Sequence, residues 1–282
     1  MIWKKYVLIK LFVIIGIAEL FATSQIPDQL VYKGDTISVY LNLLPDEFYK
    51  FDTVTFDSSE YINRILNVNL FGNKKVCSTT DCGNGYLTMW EIVENQLYLT
   101  EIFSCCYNED SIKADLTSLF KGKVVNGKVK ADWVTQKNVR GGKGIILWDD
   151  AMAVFKQELE FEFHDGKLLK IKTFDNSKSR QSTYSHNNMK LLNFIYRHIE
   201  WDKLAIQKER IRVIVRFSAN ENGKIDEVEV VKGADEIFNR EAVRVIKLIP
   251  DWDVIFRWGQ HYRQWFNMPI IFSEENKKKY RK

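Results

Sequence analysis

The sequence predicts an α+β protein. An N-terminal antiparallel β-rich domain, a sandwich or open barrel, is followed by a small αββαβ domain. Three observations carry that expectation. Short alternating strands with repeated turn signals fill the region from about Leu30 to Phe174. The stretch Asp175-Asn176-Ser177-Lys178-Ser179-Arg180-Gln181-Ser182 is polar and unpatterned, the composition of a linker. Beyond it, two helical stripes and three strand patterns alternate in the order αββαβ. The expected division is an export signal over 1–24, a β-rich domain over 25–178, a linker over 179–187 and the αββαβ domain over 188–282.

Residues 1–24 read as a cleaved signal. Lys4 and Lys5 precede the apolar run Leu11–Ala18, and Ala22 and Ser24 stand at −3 and −1 to a cut before Gln25. Lys10 and Glu19 bracket the run, which falls short of the ~20 apolar residues of a spanning helix. A retained anchor is the alternative, and the expected location is the periplasm. Export gives the four cysteines meaning. Cys77 and Cys82 flank a four-residue loop, and Cys105 and Cys106 are adjacent. In an oxidising compartment they predict disulfides between the two clusters, in a connectivity the spacing leaves open. Free thiols and a zinc site are the alternatives, although C-x4-C with C-C is not standard zinc spacing.

Three hairpins are expected in the β-rich region. Tyr86–Glu94 and Gln96–Phe103 form the first, which would bring the cysteine clusters together at its open end. Asn126-Gly127 turns the second, between Val124-Val125 and Val129. In the third, Phe155, Leu159, Phe161 and Phe163 alternate with Lys156, Glu158, Glu160 and Glu162, and Asp165-Gly166 turns the chain into Leu169, Ile171 and Thr173. Ser111–Phe120 is expected to contain a short helix. Arg140-Gly141-Gly142-Lys143-Gly144 reads as a flexible loop; it lacks the Lys-Ser/Thr ending of a phosphate loop, so nucleotide binding is not expected.

After the linker, a helix starts near Asn187 or Asn188 with the stripe Met189, Leu192, Ile195, Tyr196 and Ile199. Ile211, Val213, Val215 and Phe217 share one face of a strand. Gly223 turns it into a second strand around Val228–Val231, whose face Ile225 can join only through a bulge or a place in the turn. A second helix follows, with Ala242, Val245, Ile246 and Ile249 at i, i+3, i+4, i+7, Asn239 as N-cap, Phe238 stapled to Val243 and Pro250 as the stop. A last strand places Tyr262, Phe266, Met268, Ile270 and Phe272 on the core side. The terminal Lys277–Lys282 run reads as a solvated tail.

These pieces resemble a known family, the C-terminal domain of TonB, the energy transducer of Gram-negative bacteria. The residues that carry the resemblance are Val213–Phe217, Asn222–Ile225, Val228–Gly233, Phe238–Ala242, Ile249–Trp252 and Met268–Phe272. The resemblance implies a domain that binds an outer-membrane receptor or another envelope protein. The β-rich region is similar to uncharacterised segments that accompany such domains in Bacteroidetes-type proteins, and that similarity brings no activity. One departure is plain. Transducers of the family carry a membrane helix and a long Pro-rich span, whereas this chain has four prolines in all.

Pro269 cannot donate to a ladder, so it places the last strand, expected over Gln260–Phe272, at an open sheet edge where a partner strand can add. Family and local chemistry agree here. Arg263, Trp265, Asn267 and Ile271 are then the partner-facing residues, and a second copy of the chain is the alternative occupant. No nucleic-acid role is expected, because Lys and Arg outnumber Asp and Glu only 41 to 37 and form no aromatic-interleaved stripe. Catalysis is not expected either. His164, His186, His198 and His261 are scattered, and neither a serine elbow nor a metal-binding helix motif is present. No cofactor or metal is expected.

Overall fold

A computed structural model describes residues 24–281, apart from 41–42, 57–58, 78, 150–151 and 206–209; the side chains of 52–64 also lie outside the description. The expected signal segment is therefore outside the described residues, save Ser24. The strands of the first domain are β1 (Asp28–Tyr32), β2 (Asp35–Val39), β3 (Tyr49–Phe56), β4 (Ser59–Leu66), β5 (Leu87–Val93), β6 (Gln96–Phe103), β7 (Val124–Val125), β8 (Lys128–Lys130), β9 (Lys137–Asp149), β10 (Met152–His164) and β11 (Lys167–Asp175). Two single-turn helices, α1 (Tyr107–Asp110) and α2 (Leu116–Leu119), separate β6 from β7, the second capped by Asp115. The expected helix near 111–120 shrinks to this turn.

Apart from β3 and β4, which pair only with each other as a separate hairpin among the described residues, these strands form an open barrel. The order β11-β10-β9-β2-β1-β5-β6 returns to β11 through the single rung Lys167↔Gln96, and the β7–β8 hairpin extends β6. Leu97 and Leu168 amides donate to Gly166 and Asn95 carbonyls at 2.8 and 2.7 Å, so the turns of two hairpins seal one end. Inward side chains including Leu30, Ile37, Trp90, Leu97, Phe161 and Phe163 fill the interior as a packed core. The three expected hairpins are present. Pairing is antiparallel throughout except between β1 and β5, which run parallel.

Two expectations about this domain are corrected. Arg140–Gly144 is strand, not loop: it lies inside β9. Its glycines serve close approach. A Cβ at Gly141 would lie 2.4 Å from the Ser38 carbonyl oxygen, and one at Gly142 would lie 2.2 Å from the Phe155 ring. Glu158 and Glu160, expected on the solvent side of β10, are both buried. Glu160 accepts from Arg140 and Lys172, while Glu158 is covered by the second domain.

The second domain comprises α3 (Thr183–His186), α4 (Asn188–His198), β12 (Ile211–Ala219), β13 (Ile225–Lys232), α5 (Glu236–Lys247), β14 (Phe256–Arg257), β15 (Gln260–His261), β16 (Trp265–Phe272) and α6 (Glu274–Tyr280). Its sheet has the antiparallel order β13-β12-β16. Ala242, Val245, Ile246 and Ile249 of the α5 stripe are buried against Val213, Val215, Phe217, Ile270 and Phe272. Ile225 reaches the same core through a register shift beside Ala219, as parity required.

Local details differ from the sequence reading. The α5 N-cap is Asp235, and Phe238 lies inside the helix against Phe272, so it cannot staple to Val243. Asn239 instead clamps both main-chain groups of Ala234. On α4, Met189 is exposed and Leu191 joins Ile195, Tyr196 and Ile199 in the core, with Leu192 packed against it, so the expected stripe holds except at its first residue. Lys277, Lys278 and Lys279 are not a loose tail; they lie in α6, capped by Ser273 and anchored by Tyr280 stacked on Tyr196, while Lys282 lies outside the described residues.

The segment between the domains is stitched down rather than free. Arg180 and Val254 exchange main-chain hydrogen bonds, and the Arg180 guanidinium binds Asp251 through two N–H groups at 2.7 and 2.6 Å. Farther along, the β14–β15 hairpin docks on β9 and β10. Arg257 is nearly buried between Asp149 and Glu158, and Gln264 donates to Asp149. Leu147, Val154 and Ile255 form a small apolar cluster beside them.

Candidate functional site

The expected edge exists. Among the described residues β16 pairs only with β12, in a continuous register from Ile211↔Phe272 to Ser218↔Trp265. It begins at Trp265, because Gln260 and His261 belong to the β14–β15 hairpin. Both main-chain groups of Ile271 point away from β12: its N–H donates to the Tyr196 hydroxyl at 3.2 Å, and its carbonyl accepts from the Asn276 side chain at 2.9 Å. In a regular antiparallel strand every second residue points the same way. Trp265, Asn267 and Pro269 therefore also face outward. Pro269 has no N–H, so the open edge offers the amides of Trp265 and Asn267 and the carbonyls of all three residues.

The half of the edge near Ile271 is covered by α4 and α6, and the half from Trp265 to Pro269 is open. This follows from the helices themselves. The α4 stripe turns Tyr196 toward the sheet end, where its ring stacks between Trp201 and Tyr280. Burial holds its hydroxyl above the usual tyrosine range, so it meets Ile271 as a neutral phenol.

The side chains flanking the open edge lie on the sheet face opposite α5. Trp265 is half-buried, with the Arg216 guanidinium centred 4.5 Å over its ring. Arg216 pairs onward with Glu229 at 3.4 Å. Arg263 does not extend past the edge. It lies back across β12, donating to Ser218 and gripping both Asp226 oxygens at 2.6 and 3.2 Å. That guanidinium holds the Asp226 carboxyl below the usual carboxylate range. Asn267 is exposed and Ile271 half-buried. Tyr262, expected on the core side, is exposed and precedes the strand. Trp265 and Asn267 are thus brought together at the open half, Ile271 lies under the cap, and Arg263 braces the sheet face.

The cysteines pair across the clusters, Cys77 with Cys106 and Cys82 with Cys105. The histidines remain apart; His198, for example, stacks on Phe194 at 4.1 Å. Among the described residues no group of three or more His, Cys, Asp or Glu is placed to hold a metal ion, and no helix is long and apolar enough to cross a membrane.

A three-stranded sheet whose edge strand β16 is open over half its length, backed by α5 and by the α4 stripe, is a small domain suited to strand addition. Residues 202–273 match the family described as the Gram-negative bacterial TonB protein C-terminal. The match covers about a quarter of the chain and coincides with the β12-β13-α5-β16 unit. No curated protein and no solved structure matches the chain.

Sequence reading missed Tyr196 and Asn276 as caps of the edge. Tyr196 had been assigned to the core stripe, where its ring does sit, and periodicity carries no information about a hydroxyl at the end of a ring. Arg257, Asp149 and Glu158 were missed because no spacing connects residues about a hundred positions apart in the chain.

Proposed function

We propose that this protein is an exported envelope component of the transport class. Its C-terminal domain captures an extended segment of an outer-membrane receptor or another envelope protein by adding it to the open half of β16. The observation that carries this reading is the row of outward main-chain groups at Trp265, Asn267 and Pro269, for which no partner stands among the described residues. Main-chain bonds would supply most of the affinity, with the Trp265 ring and its Arg216 lid shaping side-chain preference. The test is a photoreactive residue at position 267, compared with one at Glu229 on the opposite edge strand, in intact cells. The expected result is an adduct with an envelope protein at 267 alone. Equal labelling at both positions, no adduct, or an adduct of two copies of this chain would overturn the receptor reading.

A second reading, an interaction module without a force-transducing role, is favoured by a specific observation. A packed barrel stitched to the domain stands where transducers of the family carry a Pro-rich span. The N-terminus of the protein in envelope fractions separates the two. Cleavage before Gln25 favours the module, and a retained leader favours the transducer.

A further inference from the structure

At the junction of the two domains lies a cleft of about 380 Å³. Met152, Ala153 and Phe155 of β10 give it an apolar floor, and the Trp258 ring forms one wall. Domain junctions are common places for small-molecule sites, and this volume lies at the small end of their range.

Two features of the cleft break local rules. Trp258 and Gly259 turn the β14–β15 hairpin with φ of 51° and 72°. Such a turn favours Asn-Gly or Asp-Gly, and a bulky aromatic in the left-handed region is strained. Three contacts hold it there. The Trp258 amide donates to Glu158 at 2.6 Å, the Gly259 amide donates to the wholly buried Asn176 at 2.9 Å, and the Arg140 guanidinium sits 4.5 Å from the ring centre. Despite this, Trp258 is 41% exposed, so burial does not account for the conformation. The second feature is Tyr40, beside the floor. Its hydroxyl is sealed from solvent with the Ala153 main chain nearby, yet makes no hydrogen bond of good geometry among the described residues. A strained, exposed aromatic and a buried, poorly satisfied hydroxyl at one place make this cleft a candidate binding site.

The charges around the cleft are already matched. Glu160 is shared by Arg140 and Lys172, while Asp149 and Glu158 flank Arg257. A charged ligand would have to break one of these pairs. The exposed carboxamide of Asn138, also in the lining, is available for hydrogen bonding.

We propose that this cleft binds a small uncharged amphiphile. Its compact apolar body lies between the Trp258 ring and the Met152–Phe155 floor, and its hydrogen-bonding end lies at Asn138. The site is separate from the β16 edge and does not depend on the edge-binding reading.

The test is titration of the purified protein with N-phenyl-1-naphthylamine, an uncharged aromatic amine that fluoresces in apolar surroundings. The anionic anilinonaphthalene sulfonate serves as comparison, and thermal melts check folding. Saturable one-to-one binding is expected, tighter for the neutral probe. Trp258→Asn restores favoured turn chemistry, so the melt should hold or rise while affinity falls at least tenfold. Met152→Trp obstructs the cleft from a side chain that is 47% exposed, and should cause the same loss without touching the core. The proposal is overturned by absence of saturation, by tighter binding of the sulfonate, or by unchanged affinity in either folded variant. If Trp258→Asn does not fold, Met152→Trp decides alone.

Discussion

Main-chain parity along β16 makes a paired proline substitution informative. Asn267 points its amide outward, whereas Met268 points its amide at β12, opposite Val215. Asn267→Pro therefore removes one of the two outward donors at the open half and breaks no ladder bond. The strand already carries Pro269, and the residue before the new proline is already extended. The expected change in stability is within ~1 kcal/mol of zero, because a proline at a compatible site gains by restricting the unfolded chain. Binding of an edge-adding segment should weaken by about 1 kcal/mol, near fivefold, for the lost bond. Met268→Pro should do the opposite: it orphans a ladder carbonyl at a half-buried position, costing ~1–3 kcal/mol of stability. Urea denaturation measures the first quantity. Calorimetric titration with a peptide from the segment cross-linked at position 267 measures the second. Equal destabilisation by the two prolines would show the parity to be wrong. Unchanged peptide affinity in Asn267→Pro would show that the segment does not pair with this edge.

Two further outcomes are expected. Arg257→Ala leaves Asp149 and Glu158 nearly buried without their cation, which should cost ~3–5 kcal/mol and separate the domains into two thermal transitions; a single unshifted transition in calorimetry would count against the clasp. Asp28 is buried beneath the Thr88 amide, and desolvation raises its carboxyl from 3.8 to about 7. A folded pKa above the unfolded one means that the folded state keeps a proton the unfolded chain releases. Stability should therefore fall as pH rises from about 4 to about 7, by up to ~4 kcal/mol, and level off above. Asp28→Asn should flatten this dependence in urea titrations at pH 5 and 7.5, and an identical slope in wild type and variant would refute it.

The sequence was most legible where one physical constraint acts alone. Asn126-Gly127 and Asp165-Gly166 can hardly do other than turn, and the α5 stripe can bury only one face. The parity conflict at Ile225 correctly implied a bulge. Legibility failed where distant chain segments supply the reason. Gly141 and Gly142 resemble loop residues until the Ser38 carbonyl and the Phe155 ring press against them. Glu158 alternates as a solvent-facing residue should, and it is buried only because Trp258 and Arg257 arrive from the other domain. At the β16 edge, Pro269 revealed the strand's position in the sheet, whereas the length left open depends on Tyr196 and Asn276, which no periodicity connects to it. Arg263 looked outward by alternation but is drawn back by Asp226, a strand away.

The caps on Ile271 act as a stop. A guest strand can run along β16 from Trp265 to Pro269, about 13 Å at ~3.3 Å per residue, before it meets α4 and α6. So short a grip limits the main-chain contribution to a handful of bonds, each ~0.5–1.5 kcal/mol, and favours exchange over permanent capture. It also shortens the template that β16 would offer to another copy of the chain, so the same tyrosine that would limit a guest strand limits self-pairing along this edge.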